Sequence, residues 1–556
     1  MSLISGLSIG KSGLNAAQLQ LSVTGENITN ADTDGYTRKV VSLTSSSRAD
    51  EIYGEMGCGV SVQMIERVRN VFLDQQYNDQ TSDSSYADTL ATQYSALESI
   101  YNETDDTGIA DALDDFWDAW SDVANNPSDK SSRETLVSTT TILIDRIQSA
   151  SSELQEMKDT INDQIEASVD EINSIAQQIS ELNKAIVAAE GLDSSAANDS
   201  RDARDELLNE LASIADIEYI EDSTGAVTVT LSGSMLVSPQ SAFTLETSQE
   251  TATNSDGTSY SITTMHFKGS SSTIEASGGS LAALVKMRDE VIPSYEEELD
   301  SMVSSLVTQV NALHLEGYTL YGLTGVNFFD PDGLTASTIS LSAAVEDDCN
   351  NIAAAQGGST ETVSGVSVTS DAENTLTLTS INSKYRDLLD DSVVVYDSSG
   401  NLLEEGADAD YVIDYELGTI QIINTTDYPS GSSFTVDFSY NTSGFSGSGD
   451  GNNALSIAGL RDTDITDPDD SGEYTHTLAE YFAASVGRLG VESSEAETSS
   501  ETQESLLEQI ESQVSSVSGV NLDEELTNMI KYQQSYNASA KFISTISDVL
   551  DTLMAI

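Results

Sequence analysis

Two stretches at opposite ends of the chain carry the same narrow apolar stripe. At the front, Leu7, Leu14, Leu21 and Ile28 recur every seven residues, with Leu3, Gly10, Ala17 and Thr24 in a second, weaker line. At the back, Leu522, Leu526, Met529, Tyr536, Ala540, Ile543, Leu550 and Met554 follow a four-three spacing that Gln533 and Ser547 interrupt. A period near 3.5 residues makes a stripe that wants one facing helix rather than a broad core. Neither stripe is long enough to hold a helix alone in water. Pairing the chain's own ends, or the ends of many copies, buries both. Two ordinary amphipathic helices packed on a globular body is the other reading of the same period.

Between the ends the pattern changes several times. The first helix is expected to stop near Thr29, before the turn residues Asn30-Ala-Asp-Thr-Asp-Gly35, where Gly35 is free to take positive φ. Tyr36 to Leu43 reads as extended, Gly54 to Gly59 as a glycine-punctuated turn, and Val60 to Ile65 as a strand. Helices follow from Val68 to Tyr101 and from Ile109 to Val123. The longest, from Ser131 to Ala189, has no proline or glycine and carries Leu136, Leu143, Ile147, Ile161, Ile172 and Ile179 in its stripe. That length implies a bundle or rod. A further helix covers Asp199 to Ile214. Alternating runs then predict strands over Glu218–Phe267, and helix returns over Ser280–Leu315. Gly317–Gly358 is irregular. Between Ser359 and Gly447, five strand-like runs are separated by turns such as Asp397-Ser-Ser-Gly400. Helix resumes from Leu478 to Val517. The chain thus leaves its terminal helices and returns to them.

Composition narrows the function. At 556 residues, several domains are expected. The formal charge of −71, from 93 acidic and 22 basic residues, argues against nucleic acid or an anionic membrane as main partner. It also fits adaptation to salty surroundings, a chain kept soluble before assembly, or a generally acidic proteome. Cys58 and Cys349 exclude a disulfide framework and read as small buried hydrophobes. No apolar run reaches membrane-span length, and no cleavable leader pattern opens the sequence. His266, His314 and His476 are far apart and show no metal-ligand spacing. Asp467-Pro-Asp-Asp-Ser-Gly472 has a faint calcium-loop look, but its twelfth position is Leu478 instead of glutamate. Phe116, Trp117 and Trp120 read as bundle core. No catalytic, cofactor or metal site is expected.

The segment Thr24-Gly-Glu-Asn-Ile-Thr-Asn-Ala-Asp-Thr-Asp-Gly-Tyr-Thr-Arg-Lys39 resembles the N-terminal signature of bacterial flagellar axial proteins. The stretch from Ser518 through Met529-Ile-Lys-Tyr-Gln-Gln-Ser-Tyr536 to Leu553 resembles their C-terminal signature. Internal motifs resemble the hook-associated protein 1 family more narrowly. They are Asn126-Pro-Ser-Asp-Lys-Ser-Ser-Arg-Glu134, Val169 to Ile186, Asp202-Ala-Arg-Asp-Glu-Leu-Leu-Asn-Glu-Leu211, Asn311-Ala-Leu-His-Leu-Glu-Gly317 with Gly322, Gly325, Phe328 and Phe329, and Gly449-Asp-Gly-Asn-Asn-Ala-Leu455. Asp34 stands where many relatives have proline, and Glu26 where they often have asparagine. Residues 359–447 match no common pattern and read as an insertion.

The patterning and the resemblance together imply a multidomain α + β protein. Residues 1–45 with 518–556 would form a terminal coiled-coil axial domain. Residues 46–217 with 276–358 and 448–517 would form a mainly helical rod domain, 218–275 a β-rich domain and 359–447 an inserted β domain, the β domains facing outward. It also implies a structural subunit of the hook–filament junction, outside the cell and exported without a cleaved leader. The implied partners are further copies in a helical ring, the hook protein, hook-associated protein 3 and a small export chaperone on the C-terminal helix. The expected assembly residues are Leu7, Leu14, Leu21, Ile28, Asn30, Gly35, Tyr36, Leu522, Leu526, Met529, Ile530, Tyr536, Ala540, Ile543, Leu550 and Leu553. Other readings are a hook protein or flagellin-like axial protein, or a secreted adhesin with coiled-coil ends.

Overall fold

The computed structural model describes residues 3–554 apart from 34, 51–53, 102–107, 191–196, 254–258, 357–359, 383–384, 386–387, 389–391, 407–408, 416, 442–447 and 469–473. The junctions of the inserted segment and most of the calcium-like loop therefore lie outside the described residues. In chain order, α1 (Leu3–Thr29) leads into β1 (Lys39–Asp50) and β2 (Gly54–Arg67). Then come α2 (Val71–Ile100), α3 (Ile109–Asn125), α4 (Lys130–Glu190) and α5 (Asn198–Ile214). Strands β3 (Ile217–Glu221), β4 (Val227–Leu231), β5 (Ser234–Val237), β6 (Leu245–Thr253) and β7 (Ser259–Phe267) precede α6 (Gly279–Lys286), a π turn (Met287–Val291) and α7 (Ile292–Glu316). After the short α8 (Ala343–Asp347) come β8 (Thr360–Thr369), β9 (Thr375–Thr377), β10 (Val394–Asp397), β11 (Tyr411–Asp414), β12 (Thr419–Ile422) and β13 (Ser433–Asn441). The chain closes with α9 (Asn452–Ala458), β14 (Thr466–Pro468), β15 (Tyr474–His476), α10 (Leu478–Ser518) and α11 (Leu522–Met554). Two compact units result, one of residues 1–99, 155–294 and 489–556, the other of 100–154 and 295–488.

In the first unit, the later part of α4 is the spine. Without glycine or proline, α4 runs unbroken for 61 residues. Ile161, Ile165, Ile172, Ile175, Ile179 and Ile186 are all buried along it. Asparagines interrupt that stripe at intervals of about three turns, and each clips a strand. The Asn183 amide donates to the Val227 carbonyl and accepts from the Val227 N–H, at 2.7 and 3.0 Å. Asn173 does the same to Leu245, and Asn162 pairs with Ser261 and Thr263. A helix side chain thereby satisfies backbone groups that the short sheets leave open. Arg204, 1 % exposed, donates to the Gly225 carbonyl and to Glu221, tying α5 to the β3-β4-β5 sheet.

Two expectations need correcting in this unit. Gly54–Gly59 is not a turn but the first part of β2, paired with Ser46–Asp50 of β1. Gly57 and Gly59 flank a register shift, where the extra residue Cys58 is absorbed as a bulge. The helix expected over 280–315 is broken by the π turn. Pro293 has no N–H to donate and its ring collides with the carbonyl four residues back, so the helix widens before it.

The second unit is built on aromatic packing. Phe116, Trp117 and Trp120 of α3 are fully or almost fully buried, with the Trp120 ring tilted against that of Phe328, centroids 4.9 Å apart. The irregular chain after α7 is held by polar clips. Asn311 Oδ1 accepts from the N–H groups of Phe328 and Phe329, both at 2.9 Å. His314 Nδ1 lies 2.6 Å from the Val326 carbonyl, and its Nε2 accepts from Ala353 N at 2.8 Å. That fixes the neutral tautomer with the proton on Nδ1. Burial pushes the imidazole pKa down to about 4. Arg133, 1 % exposed, donates to the carbonyls of Pro127, Cys349 and Ile352. Strands β8–β13 form two three-stranded antiparallel sheets, ordered β10-β13-β8 and β11-β12-β9. Their shared core is drawn from within 368–440, including Leu376, Val395, Ile420, Phe434 and Phe438. Cys58 and Cys349 form no disulfide and are half-buried instead of enclosed.

Candidate assembly interface

The two chain ends meet in the first unit. Helices α1 and α11 lie antiparallel, with Gly6 beside Ile546, Gly10 beside Ile543 and Gly13 beside Ser539. The approach is close because α1 presents small residues. A Cβ at Gly10 would lie 2.6 Å from Ile543 Cγ1 and 3.1 Å from Phe542 Cδ1. The residues α1 buries are Gly10, Ala16, Ala17, Val23, Thr24 and Asn27, so the weaker sequence line is the better-buried one. Leu7, Leu14, Leu21 and Ile28 are only half-buried. On α11, Met529, Tyr536, Ala540, Ile543 and Leu550 are half-buried, whereas Leu522, Leu526 and Ile530 are 46–58 % exposed. The side chain of Leu553 lies outside the described residues.

A corner of polar groups fixes the start of this pairing. Helix α1 ends where Asn30 Nδ2 folds back onto the Glu26 carbonyl, and Gly35 takes φ +73° in the turn that follows. The Asn27 amide accepts from the Lys39 N–H at 3.0 Å and donates to the Lys39 carbonyl at 2.9 Å. It also accepts from the Tyr36 hydroxyl and donates to Glu525 of α11. Desolvation by burial pushes the Tyr36 phenol up to about 12. Glu525, 2 % exposed, accepts from Arg38 at 2.9 Å. The Lys39 ammonium bonds Glu26 and Asp199. Burial pulls that ammonium down, and its two carboxylate bonds more than offset the pull, holding it above its ordinary value. Arg67 pairs with Asp202 and Asp205, anchoring β2 to α5.

The structure thus gathers Asn30, Gly35 and Tyr36 at one corner and spreads the leucines along the helix pair. Sequence reasoning left Asn27, Arg38, Lys39 and Glu525 out of its site. The available signal was Asn27 lying one turn beyond Thr24 on the buried face. Exposed apolar side chains also occur on neighbouring elements: Val40, Leu43 and Val62 of the hairpin, and Val71 and Phe72 of α2, each of the last two 65 % exposed. Among the described residues, no helix is long and apolar enough to cross a membrane. Among them, too, no group of three or more His, Cys, Asp or Glu side chains is placed to hold a metal ion.

Comparison with known proteins adds a family. The model of the flagellar hook-associated protein FlgK helical domain matches residues 94–329. Models of the flagellar basal body rod FlgEFG protein C-terminal region and of flagella basal body rod proteins match 511–556 and 7–37. The flagellar hook-associated protein 1 of Bacillus subtilis (strain 168) is 27 % identical, with 99 % of this chain and 97 % of that protein covered. Those of Salmonella typhimurium and Escherichia coli K12 are 28 % and 25 % identical, with 98 % of each chain covered. The solved flagellar hook junction protein FlgK from Burkholderia pseudomallei shares the fold. Its TM-score is 0.59 at 19 % identity, covering 80 % of this chain and 100 % of that one.

Proposed function

This chain belongs to the flagellar hook-associated protein 1 family, and on that premise we propose that it is a structural subunit of the layer joining flagellar hook to filament, assembled through its two ends. One observation carries the reading. The ends pair through a small-residue seam, which leaves the heptad leucines of α1 and the apolar residues of α11 half-covered or open. Such helices gain by packing against further apolar surface, and neighbouring copies supply it.

On this reading, α1 and α11 act as an N/C coiled coil lining the axis. Leu7, Leu14, Leu21, Ile28, Met529, Tyr536, Ala540, Ile543 and Leu550 make its apolar contacts. Leu522, Leu526 and Ile530 face neighbouring copies, while Asn30, Gly35 and Tyr36 set the angle at which the chain leaves the axis. Head-to-tail contacts in a non-closing lattice stack the ring between the hook protein and hook-associated protein 3. Before export, a small chaperone covers the open stripe of α11. Export without a cleaved leader then delivers the subunit outside the cell.

The test replaces Leu14 and Leu21 by Asp. The purified variant should keep the thermal unfolding of its second unit, and be exported, yet be absent from the hook tip by immunogold labelling. Normal incorporation of a stable variant would overturn the assembly role of that line.

A further inference from the structure

Helix α1 meets two neighbours within its own unit and leaves one face open. Gly6, Gly10 and Gly13 lie against α11, while Ser12 and Asn27 bond the β1–β2 hairpin at Val60 and Lys39. The exposed side chains of α1 are Ser8, Lys11, Asn15, Gln18, Ser22 and Thr29, spaced three, four or seven apart along one side. That side is polar and almost free of charge. Lys11 is the only charged residue between positions 3 and 25, in a chain of formal charge −71.

Lys11 has no partner within the subunit. The first unit uses Arg38, Lys39, Arg67, Arg69 and Arg201 on acids of its own fold. Among the described residues no acid pairs with Lys11. Its own helix cannot supply one, since the positions three and four residues away are Leu7, Ser8, Leu14 and Asn15. Lys184 and Lys286 are unpaired among the described residues too, but Glu181 and Glu290 stand at that spacing from them. Free carboxylates occur near the end of α11. Asp548 and Asp551 are exposed and pair with no base among the described residues. They lie off the side of α11 that meets α1, which carries Ser539, Ile543 and Ile546. Lys541, also exposed and unpaired among the described residues, stands one heptad before Asp548.

We infer that Lys11 is a register contact between copies. Resting on the assembly role proposed above, its ammonium pairs with the Asp548 and Asp551 carboxylates of a second copy of this chain. Copies this acidic repel one another, so they associate where charge is absent or matched. The open face of α1 meets both conditions, with hydroxyls, amides and one ammonium. Half-buried Leu7 and Leu14 stand beside Lys11, one heptad apart, as are the exposed Phe542 and Val549 near the two aspartates. Within one copy Gly10 sits on Ile543, which puts Lys11 at that level. Asp548 and Asp551 follow Ile543 by five and eight residues, about 8 and 12 Å along the helix. A second copy displaced by that distance brings its carboxylates level with Lys11. An exposed pair of this kind sets register and encounter rate more than affinity.

Purified full-length subunit added to isolated hooks from a strain lacking the gene tests this, with seated protein counted by immunogold labelling. Lys11→Glu should lower seating at least roughly tenfold, because it sets a third acid against the two. Lys11→Gln should lower it at most about fivefold. Asp548→Lys with Asp551→Lys should lower it as well, and adding Lys11→Glu to that pair should regain most of the loss. Thermal unfolding of the free Lys11 variants should match wild type, since no contact within the chain is removed. Normal seating of Lys11→Glu, or no gain in the triple variant, would overturn the proposal. So would rescue by Lys541→Glu in place of Lys11→Glu, which would move the contact to α11. A destabilised Lys11 variant would also overturn it, by placing the lysine's partner inside the subunit. Wild type that did not seat at all would remove the assembly reading and the register contact with it.

Discussion

At the scale of single residues, the motifs that carried the family resemblance turn out to be backbone clips. Asn27, Arg133, Arg204, Asn311 and His314 each bond main-chain groups outside their own helix. Buried main-chain groups without partners are costly, which explains polar side chains on otherwise apolar faces. Glu26, a departure from the usual asparagine, has its own use as a partner of Lys39. The Arg38–Glu525 pair is the most exacting case, because Glu525 is buried. Arg38→Met should destabilise the first unit by about 3 kcal/mol, since it strands a buried carboxylate. Glu525→Gln in that background should recover part of the loss in urea denaturation; additive losses would mean the pair is not coupled.

His314 sets a pH dependence for the second unit. Its folded pKa, about 4, lies below the usual 6.5. The unfolded chain therefore binds a proton between these values that the folded chain refuses. Its contribution is fully present above pH 6.5 and is lost as pH falls toward 4, amounting to about 3 kcal/mol. Acidification also relieves repulsion among the carboxylates, which acts the other way, so the comparison must be with His314→Gln. Thermal unfolding of the wild type should fall more steeply than that of the variant between pH 6.5 and 4; parallel curves would contradict the assignment.

At the scale of elements, the inserted strands have a core of their own, closed by Tyr385 against Phe438 and Tyr440 and by Tyr428 against Phe434. Residues 359–447 expressed alone should fold, giving dispersed amide resonances and one cooperative thermal transition. A collapsed, poorly dispersed spectrum would show that the core needs the remainder of the chain. These strands were legible because alternation and Asx turns such as Asp397-Ser-Ser-Gly400 mark both their faces and their ends. The helices were legible from period and from missing glycine and proline, so α4 and α10 match their expected ranges to within a residue or two. The hairpin β1–β2 was misjudged at Gly54–Gly59, because cross-strand pairing overrides glycine's preference for turns. The π turn was missed because Pro293 was not weighed inside an apolar period. The terminal seam was harder still. Leucines dominate a hydrophobic period, whereas close packing here depends on the absence of side chains at Gly6 and Gly10.

At the scale of the whole molecule, the central claim is a structural one: the chain is a junction subunit, without which a finished hook carries no filament. It follows from the family and from a terminal helix pair whose apolar lines are left half-covered. The most direct measurement is electron microscopy of cells from which the gene has been deleted, with and without a copy restored in trans. The account predicts complete hooks without filaments, unpolymerised flagellin in the medium, and filaments regained on complementation. Filaments of normal length and attachment in the deletion strain would contradict it.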